Sequence, residues 1–195
     1  LLFLITILTT VSISSNMASA SYWSKTYART PWDEARSIIQ TSDGGYIGLG
    51  ADAWILKLDA DGNVIWEKTY GVVNSANSIQ QTSEGGFIVA GSAGSEAWIL
   101  KLDINGEIIW EKTYNPVSGF NFIRQTADGG YIAAGSSNVV KLGADGNVLW
   151  SKTYDHSMSS FQQTADGGYI ITGNIERYCS EESSYLDTWI SKLDS

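Results

Sequence analysis

Short runs rich in β-branched and aromatic residues recur along the chain, and turns that contain Gly separate them. In one copy these runs occupy residues 78–82, 87–91, 98–103 and 107–114. Runs of five to eight residues with this composition are typical of β-strands, and no stretch sustains the 3.6-residue period of an amphipathic helix. An acidic residue followed by Gly after the first run is a strong hairpin signal. The pattern therefore predicts an all-β chain of antiparallel strands.

Three sequence signatures show that four such runs form one repeating unit. The signature Gln-Thr-x-acid-Gly-Gly-aromatic starts at Gln40, Gln81, Gln125 and Gln163, with spacings of 41, 44 and 38 residues. A Lys-Leu pair follows at Lys57, Lys101, Lys141 and Lys192. A Trp-x-Lys-Thr-Tyr signature starts at Trp23, Trp66, Trp110 and Trp150. A period near 40 residues with four strands per unit is the make-up of a β-propeller blade.

The order of the runs at the two ends of the sequence predicts how the ring closes. Residues 22–27 correspond to a fourth strand, whereas residues 160–194 supply only the first three strands of a unit. Pairing of these two segments would complete one blade and remove the exposed sheet edges. We therefore predict a β-propeller of four blades, each with four antiparallel strands, near residues 37–70, 78–114, 122–154 and 160–194. The alternative is a fragment of a larger ring, cut at a blade boundary.

The repeat QTxDGGYIxxG…WxxKLDxxGNxxWxKTY resembles the propeller repeats of secreted prokaryotic proteins, which are similar in style to quinoprotein-like and kelch-like repeats. The resemblance covers nearly all of residues 21–195 and implies a propeller fold with a binding, scaffold or surface role. Asn138 and Gly143 depart from it, because they stand where other repeats have Trp and Asp. We expect the packing of that blade to be the least regular.

The recurring aromatic and polar residues have an architectural interpretation. A Trp at one position of every outer strand is expected to cover the seam between neighbouring blades. The Gln-Thr pairs are expected to lie on the innermost strands, where they form hydrogen bonds from blade to blade or line a narrow channel.

The first 20 residues have the pattern of a signal peptide. Residues 1–13 are apolar and uncharged, and Ala18-Ser19-Ala20 has the form of a signal-peptidase site. The apolar run is shorter than the roughly 20 residues that span a bilayer. We therefore expect a propeller domain over residues 21–195, secreted or on the cell surface, with no stable membrane span after cleavage. A buried N-terminal helix is the alternative.

The net charge limits the expected partners, and the cysteine content limits the ways in which the fold can be stabilised. The net charge of −9 repels phosphate backbones, so nucleic acid is not an expected partner. Cys179 is the single cysteine, which excludes an intramolecular disulfide. The hydrophobic core must therefore hold the fold.

The sequence contains no recognisable catalytic, cofactor or metal motif. His156 is the single histidine, and neither a Gly-x-Ser-x-Gly elbow nor a Gly-rich phosphate loop is present. Asp59-Ala-Asp61-Gly-Asn63 resembles the start of a calcium loop, but Tyr70 stands where such a loop needs Glu, and a type I turn explains the pattern. We expect no catalytic residues, no cofactor and no metal. Carboxylates remain as candidates for glycoside hydrolysis: Asp33, Glu34, Asp155, Glu181, Glu182 and Asp187.

Propeller geometry places alternate connections on opposite faces, and one of these faces varies between repeats. Variable loops on a rigid scaffold commonly carry binding residues. The hypothesis is that this face, which includes a long loop at residues 174–188, binds a glycan or a protein. Its proposed contributors are Trp32, Arg36, Asn77, Phe120, Asn121, His156, Tyr178 and Tyr185. We expect a monomeric binding module; the alternatives are a small glycan-acting hydrolase, a remnant of a cofactor-binding propeller, or a purely structural surface repeat.

Export gives a direct test of the N-terminal prediction. We expect the exported chain to begin at Ser21, because cleavage follows Ala20. N-terminal sequencing of the protein from the culture medium or cell surface measures this. A mature protein that retains residues 1–20 would contradict the prediction.

Overall fold

The computed structural model describes residues 22–30, 33–71, 73–135, 137–180 and 183–194. Within these ranges the chain forms fifteen β-strands. The predicted signal peptide, residues 1–20, lies outside them. A helix with the length and apolarity to cross a bilayer does not occur in the described ranges.

The strands form four antiparallel sheets, one for each repeat, which we call blades 1 to 4. Blade 1 contains β1 (Ala35–Gln40), β2 (Tyr46–Gly50), β3 (Trp54–Leu58) and β4 (Val64–Thr69). Blade 2 contains β5 (Ser75–Gln81), β6 (Phe87–Ala93), β7 (Glu96–Leu102) and β8 (Ile108–Tyr114). Blade 3 contains β9 (Phe122–Gln125), β10 (Tyr131–Ala134), β11 (Asn138–Leu142) and β12 (Val148–Thr153). Blade 4 contains β13 (Ser157–Gln163), β14 (Tyr169–Ser180) and β15 (Ser183–Leu193).

The sheets confirm the predicted all-β fold of four repeating blades. Strands follow one another in order within each blade, so every blade is a meander. The first strands are innermost, since β1 lies beside β5 and β5 lies beside β9.

The predicted closure of the ring is not formed by the described residues. Blade 4 has three strands there, and β15 is an edge of its sheet. Residues 22–27, which belong to no strand, lie against the β3–β4 turn of blade 1. Trp23 Nε1 donates to the Ala60 carbonyl at 3.0 Å, and the Tyr27 hydroxyl donates to the Gly62 carbonyl at 2.6 Å.

The hydrophobic core is divided into layers between the blades, because successive strand residues face opposite sides of a sheet. In blade 2, Phe87 and Val89 pack against blade 1, whereas Ile88 and Ala90 pack against blade 3. All four side chains are fully buried. Each blade therefore depends on its neighbours to cover both of its faces.

At each seam, the outer strand of one blade covers a glycine turn of the next. Trp66 packs edge-to-face on Phe87, with 6.0 Å between the ring centroids. The Tyr70 hydroxyl donates to the Gly106 carbonyl at 2.7 Å. A Cβ atom at Gly106 would lie 2.8 Å from the Tyr70 hydroxyl, and the φ of 75° also favours glycine.

The same contacts recur at the other seams. The Tyr114 hydroxyl donates to the Gly146 carbonyl at 2.8 Å. Edge-to-face pairs of the same kind join Trp23 to Tyr46, Trp110 to Tyr131 and Trp150 to Tyr169. The predicted role of the recurring Trp residues as seam covers is therefore confirmed.

An ion pair inside each blade joins the third strand to the first turn. In blade 3 the buried Lys141 donates to the Thr126 hydroxyl at 2.9 Å and lies 2.8 Å from an Asp128 carboxylate oxygen. The hydrogen bond from Lys141, followed by that from Thr126, lowers the pKa of Asp128 to about 2. Equivalent pairs join Lys57 to Asp43, Lys101 to Glu84 and Lys192 to Asp166.

Blade 3 keeps its turn despite its departures from the repeat. Asp145 accepts a hydrogen bond from the Asn147 amide at 3.0 Å, which compensates for the missing carboxylate at Gly143. Its strands β9 and β10 have only four residues each and are the shortest among the described residues.

Tyr114→Phe tests the seam. The change removes a buried hydrogen bond to Gly146, so we expect the free energy of unfolding to fall by about 1–1.5 kcal/mol. Urea unfolding followed by Trp fluorescence measures the loss. Tyr22→Phe is the matched control, because the Tyr22 side chain is exposed and should change stability very little. Equal effects of the two substitutions would contradict this account of the seam.

Acid should weaken the intrablade ion pair. An unfolded Asp titrates near pH 3.9, well above the value for Asp128 in the fold. A carboxyl with a lowered pKa stabilises the fold fully above its unfolded value, and loses that contribution as the pH falls through its folded value. We therefore expect the urea midpoint to fall between about pH 4.5 and 2.

Part of this fall should be absent in Asp128→Asn, which has no carboxyl to protonate. Asp61→Asn is the control, because it leaves the ion pair in place and should keep the original pH profile. Urea titrations across the pH range compare the three proteins. An Asp128→Asn profile identical to that of the unchanged chain is the result that would refute the pairing.

Candidate binding face

The meander of each blade places its connections alternately at the two ends of the strands, so the molecule has two faces. The turn face carries the β1–β2 and β3–β4 connections and their equivalents. The loop face carries the β2–β3 and β4–β5 connections, their equivalents and the β14–β15 hairpin. Apart from Trp32, which lies outside the described residues, the residues proposed from the sequence belong to the loop face or to strand ends that reach it.

Polar side chains of the turn face are occupied in holding their own turns. Asp59 accepts hydrogen bonds from the amides of Asp61 and Asn63, at 2.9 and 2.7 Å. The bonds to Asn63, first from its amide, hold the pKa of Asp59 below its ordinary value. This geometry is the predicted turn. Among the described residues, no three His, Cys, Asp or Glu side chains form a group that could hold a metal ion.

Hydrogen bonds between Gln side chains and neighbouring turns also join the blades at the turn face. The Gln81 side-chain oxygen accepts from the Ser42 amide at 2.8 Å. The Gln125 oxygen accepts from the Ser83 amide at 2.7 Å. The predicted hydrogen bonding of these Gln residues from blade to blade is therefore confirmed.

On the loop face of blade 1, Arg29 lies between two carboxylates and an aromatic ring. Its guanidinium is 3.3 Å from the Asp52 carboxylate and 3.7 Å from that of Asp33. It also lies 5.9 Å from the Trp54 ring centroid, within the range of a cation–π contact. Backbone hydrogen bonds, first from Thr30, hold the pKa of Asp33 below its ordinary value. The cluster is a preformed polar site beside an aromatic surface.

The most irregular feature of the loop face is the extension of β14 and β15 beyond their blade. The sequence predicts a loop at residues 174–188, but the strand register continues from Asn174–Thr188 to Tyr178–Ser184. Ile175 and Tyr178 on one strand, and Tyr185 and Thr188 on the other, are residue types that favour strands. We call residues 174–188 the hairpin arm. The equivalent connection of blade 2 pairs only as far as Ala93 and Glu96.

The hairpin arm presents charged and apolar side chains. Arg177 Nε lies 2.7 Å from an Asp187 carboxylate oxygen, with both side chains about half exposed. Leu186 is 67% exposed. Leu186 alternates with Asp187 along β15, so it lies on the opposite face of the hairpin from the ion pair.

Arg36 and Asn77 lie at β-bulges rather than in loops, which corrects their predicted setting. The register of β1 shifts between Ala35 and Ser37, and that of β5 shifts between Ala76 and Ser78. Bulges redirect a side chain and are common beside functional sites. Arg36 is exposed and forms an ion pair with Glu34 at 2.9 Å. The Asn77 amide donates to the Phe120 carbonyl at 3.0 Å and so joins blades 2 and 3.

Phe120 and Asn121 are neighbours in the chain but have different environments. The Phe120 side chain is fully buried and packs edge-to-face on Tyr114, 5.8 Å away. Phe120 is therefore a core residue, and the prediction that its side chain contributes to binding is wrong. Asn121 is exposed at the start of blade 3, and its backbone amide donates to Ala134.

His156 lies at the base of the hairpin arm. Its Nε2 is 2.8 Å from an Asp155 carboxylate oxygen, and its ring packs edge-to-face on Trp189 at 5.5 Å. The Asp155 side chain is largely exposed, so this His–Asp pair is on the surface rather than enclosed in a cleft.

The remaining proposed residues are distributed between the arm and the undescribed part of the chain. Tyr178 lies in β14 opposite Ser184, and Tyr185 lies in β15 opposite Arg177. Trp32 lies outside the described residues. The structure thus places the arm residues and His156 on blade 4, whereas Arg36 is on blade 1 and Asn77 and Asn121 are on blades 2 and 3.

The cluster of Arg29, Asp52 and Trp54 was not predicted from the sequence. Trp54 belongs to the third strand of a repeat, and Asp52 lies in a short connection. The available signal was that the β2–β3 connection carries a charge, whereas its equivalents in blades 2 and 3 carry none. Contact between residues 29 and 52 requires the fold and has no signature in the sequence.

Comparison with known proteins extends the fold assignment but supplies no family. Neither a family model nor a curated protein matches the sequence. Among solved structures, that of streptogramin B lyase is similar, with a TM-score of 0.66 and 13% sequence identity. This similarity covers 86% of the present chain and 57% of the lyase chain. The WD40 domain of Neurospora crassa Pan2 is similar with a TM-score of 0.65 and 18% sequence identity. This similarity covers 82% of the present chain and 48% of the Pan2 chain. A protein of unknown function from Bacteroides caccae is similar with a TM-score of 0.61 and 16% sequence identity. This similarity covers 87% of the present chain and 64% of the Bacteroides chain.

These similarities concern the fold alone, because the identities are low. The chain spans from about half to two thirds of the length of these solved structures. Together with the four repeating blades, they show that the protein has a β-propeller fold.

Proposed function

We propose that the protein is a binding module whose recognition surface is the loop face, with the hairpin arm at its centre. The single observation that carries this proposal is the contrast between the two faces. The turn face repeats from blade to blade and uses its carboxylates and amides to hold its own turns. The loop face differs at every blade and extends one hairpin away from the scaffold.

The arm has the composition of an interaction surface. It carries the Arg177–Asp187 ion pair, and Tyr178 and Tyr185 belong to the same two strands. Arg and Tyr are enriched at interface hot spots. The ligand is a protein or a glycan.

The proposed setting is outside the cytoplasm, secreted or at the cell surface. Support comes from the apolar residues 1–13 and the small residues at Ala18 and Ala20. The negative net charge supports a partner other than nucleic acid.

The hydrolase hypothesis gains little from the geometry. A general acid at neutral pH needs a raised carboxyl pKa. Within the described ranges the shifted carboxyl pKa values all move downward: Asp33, Asp43, Asp59, Glu84, Glu96, Asp128 and Asp166.

A loop exchange tests the proposed function. Residues 174–188 are replaced by residues 92–97, which form the equivalent connection between β6 and β7 in blade 2. A labelled chain is applied to a glycan array and used to capture proteins from a whole-cell extract. We expect the exchange to abolish binding of any glycan or protein that the unchanged chain captures.

Single substitutions refine this test. Arg177→Ala and Asp187→Ala should each weaken binding about tenfold, as expected for residues near the centre of an interface. Asp61→Ala, an exposed acid of the turn face, should leave affinity unchanged. Binding that survives the loop exchange but fails in Asp61→Ala would place recognition on the turn face and refute the proposal.

A further inference from the structure

The innermost strands of blades 2 and 3 are joined by a side chain that acts as a hydrogen-bond acceptor. The Gln80 side-chain oxygen of β5 accepts from the Gln125 amide of β9 at 2.8 Å. Gln80 lies opposite Ile88, which packs against blade 3, and opposed residues of antiparallel strands share one face of the sheet. Gln80 therefore reaches across the seam and satisfies a backbone donor of the next blade.

At the following seam, Arg124 replaces this acceptor with a donor. Arg124 of β9 precedes the Gln of its repeat signature, as Gln80 does in blade 2. It lies opposite Ile132, which packs against blade 4, so its side chain is on the face turned toward blade 4. Gln163 of β13 has the position that Gln125 has in β9. A guanidinium carries only donors, so Arg124 cannot accept from the Gln163 amide as Gln80 accepts from that of Gln125.

The seam between β9 and β13 is open where these two donors meet. A cavity of about 430 Å³ is lined by Arg124, Gln125, Ser160, Phe161, Gln162 and Gln163. Among the described residues, Arg124 is the one cationic side chain without an ion pair, a hydrogen bond or an aromatic contact. The Gln163 amide likewise has no side-chain acceptor in the part of the chain that the structure describes. The cavity therefore contains two donors and lacks their acceptor.

An aromatic ring lies on the other side of the same cavity. Phe161 of β13 lies opposite Ile171, which packs against blade 3, so the Phe161 ring is on the face turned toward blade 3. It packs edge-to-face on Phe122 of β9, with 6.4 Å between the ring centroids. The cavity thus combines a cation and a backbone donor with an apolar surface.

The carboxylates of the adjoining turns do not compete for the guanidinium, because each is paired with a lysine of its own blade. Glu84 pairs with Lys101, Asp128 with Lys141 and Asp166 with Lys192. Repulsion of an anion by the net charge of −9 is screened by salt over roughly 10 Å. The local charge at the cavity is therefore that of Arg124.

We propose that the cavity between β9 and β13 binds a small carboxylate with an apolar body. The carboxylate accepts from the Arg124 guanidinium and from the Gln163 amide, and so supplies the acceptor that Gln80 supplies at the preceding seam. Phe161 packs against the apolar part of the ligand. Hydrogen bonds between a guanidinium and a carboxylate are among the stronger ones in proteins, because both groups are charged.

Titration of the ¹⁵N-labelled full-length chain with sodium benzoate tests the site by nuclear magnetic resonance. We expect saturable shifts of the Gln163 amide and of the Arg124 Nε–H. The Gln125 amide is the internal control and should not shift, because Gln80 already accepts from it. Benzamide, which has the same ring without the charge, should shift neither group. Equal shifts at Gln125 and Gln163, or an equal response to benzamide, would overturn the proposal.

Arg124→Gln introduces the residue that blade 2 has at this position. It should raise the benzoate dissociation constant at least about tenfold, because the charged donor is lost. The urea midpoint should stay the same or rise, since the new side-chain oxygen accepts from the Gln163 amide. Loss of binding together with a lowered midpoint would show that Arg124 is structural and would refute the site.

Lys152→Gln is the matched control for charge. Lys152 is exposed on β12, the outer strand of the same blade, and the substitution removes the same single charge. Benzoate affinity should stay within about twofold of that of the unchanged chain. An equal loss in Lys152→Gln and Arg124→Gln would indicate a general effect of net charge and contradict a site at β9.

The carboxylate site is separate from the loop-face surface proposed above, because Arg124 and Gln163 lie at the ends of their strands next to the turn face. The loop exchange at residues 174–188 leaves both residues in place, so it should abolish partner binding without changing benzoate affinity. Arg124→Gln should have the opposite effect. Failure of the carboxylate site and failure of the proposed binding function are thus distinct outcomes.

Discussion

The contact between an outer strand and the glycine turn of the next blade is the interaction on which this fold depends. A Trp ring and a Tyr hydroxyl from one blade meet a backbone that only glycine allows to come so close. An isolated blade would be only weakly stable despite its hydrogen bonds, because both of its apolar faces would be exposed to water. The seams supply the cover for those faces and set the position of each blade relative to the next.

The intrablade ion pair complements the seam by stiffening the unit that the seam joins. A buried Lys on the third strand is acceptable because a hydroxyl and a carboxylate meet its ammonium group. Burial without these partners would favour the neutral amine, and the lowered pKa of Lys101 shows that tendency. The ion pair thus fixes the first turn of each blade relative to the third strand of the same blade.

Most of the fold was predictable because its determinants are local and repeated. Trp66 and Gly106 stand in signatures that recur about every 40 residues, so their shared role is visible without a structure. The hairpin arm was not predictable to the same degree, since residues 174–188 contain both strand-forming and turn-forming residues and only continued pairing decides between them. The described residues do not form the predicted ring closure, because strand order shows which segments are complementary but not whether they pair.

The candidate site was predicted in outline and corrected in detail. Variable connections pointed to the loop face, but Phe120 was assigned to it from its position in a loop, whereas its ring fills the layer between blades 2 and 3. Arg36 and Asn77 stand at bulges, which a sequence does not reveal because a bulge is a property of two paired strands. Arg29 and Asp52 approach each other only after the N-terminal segment lies on blade 1.

The seam also has a direction, since aromatic residues always come from the earlier blade and the glycine turn from the later one. Every repeat therefore carries one donor half and one acceptor half of the same contact. Duplication or loss of a whole repeat in the gene would join matching halves without any compensating substitution. The number of repeats in such an array can therefore change during evolution, whereas the orientation of each repeat relative to the next is fixed by the seam contact.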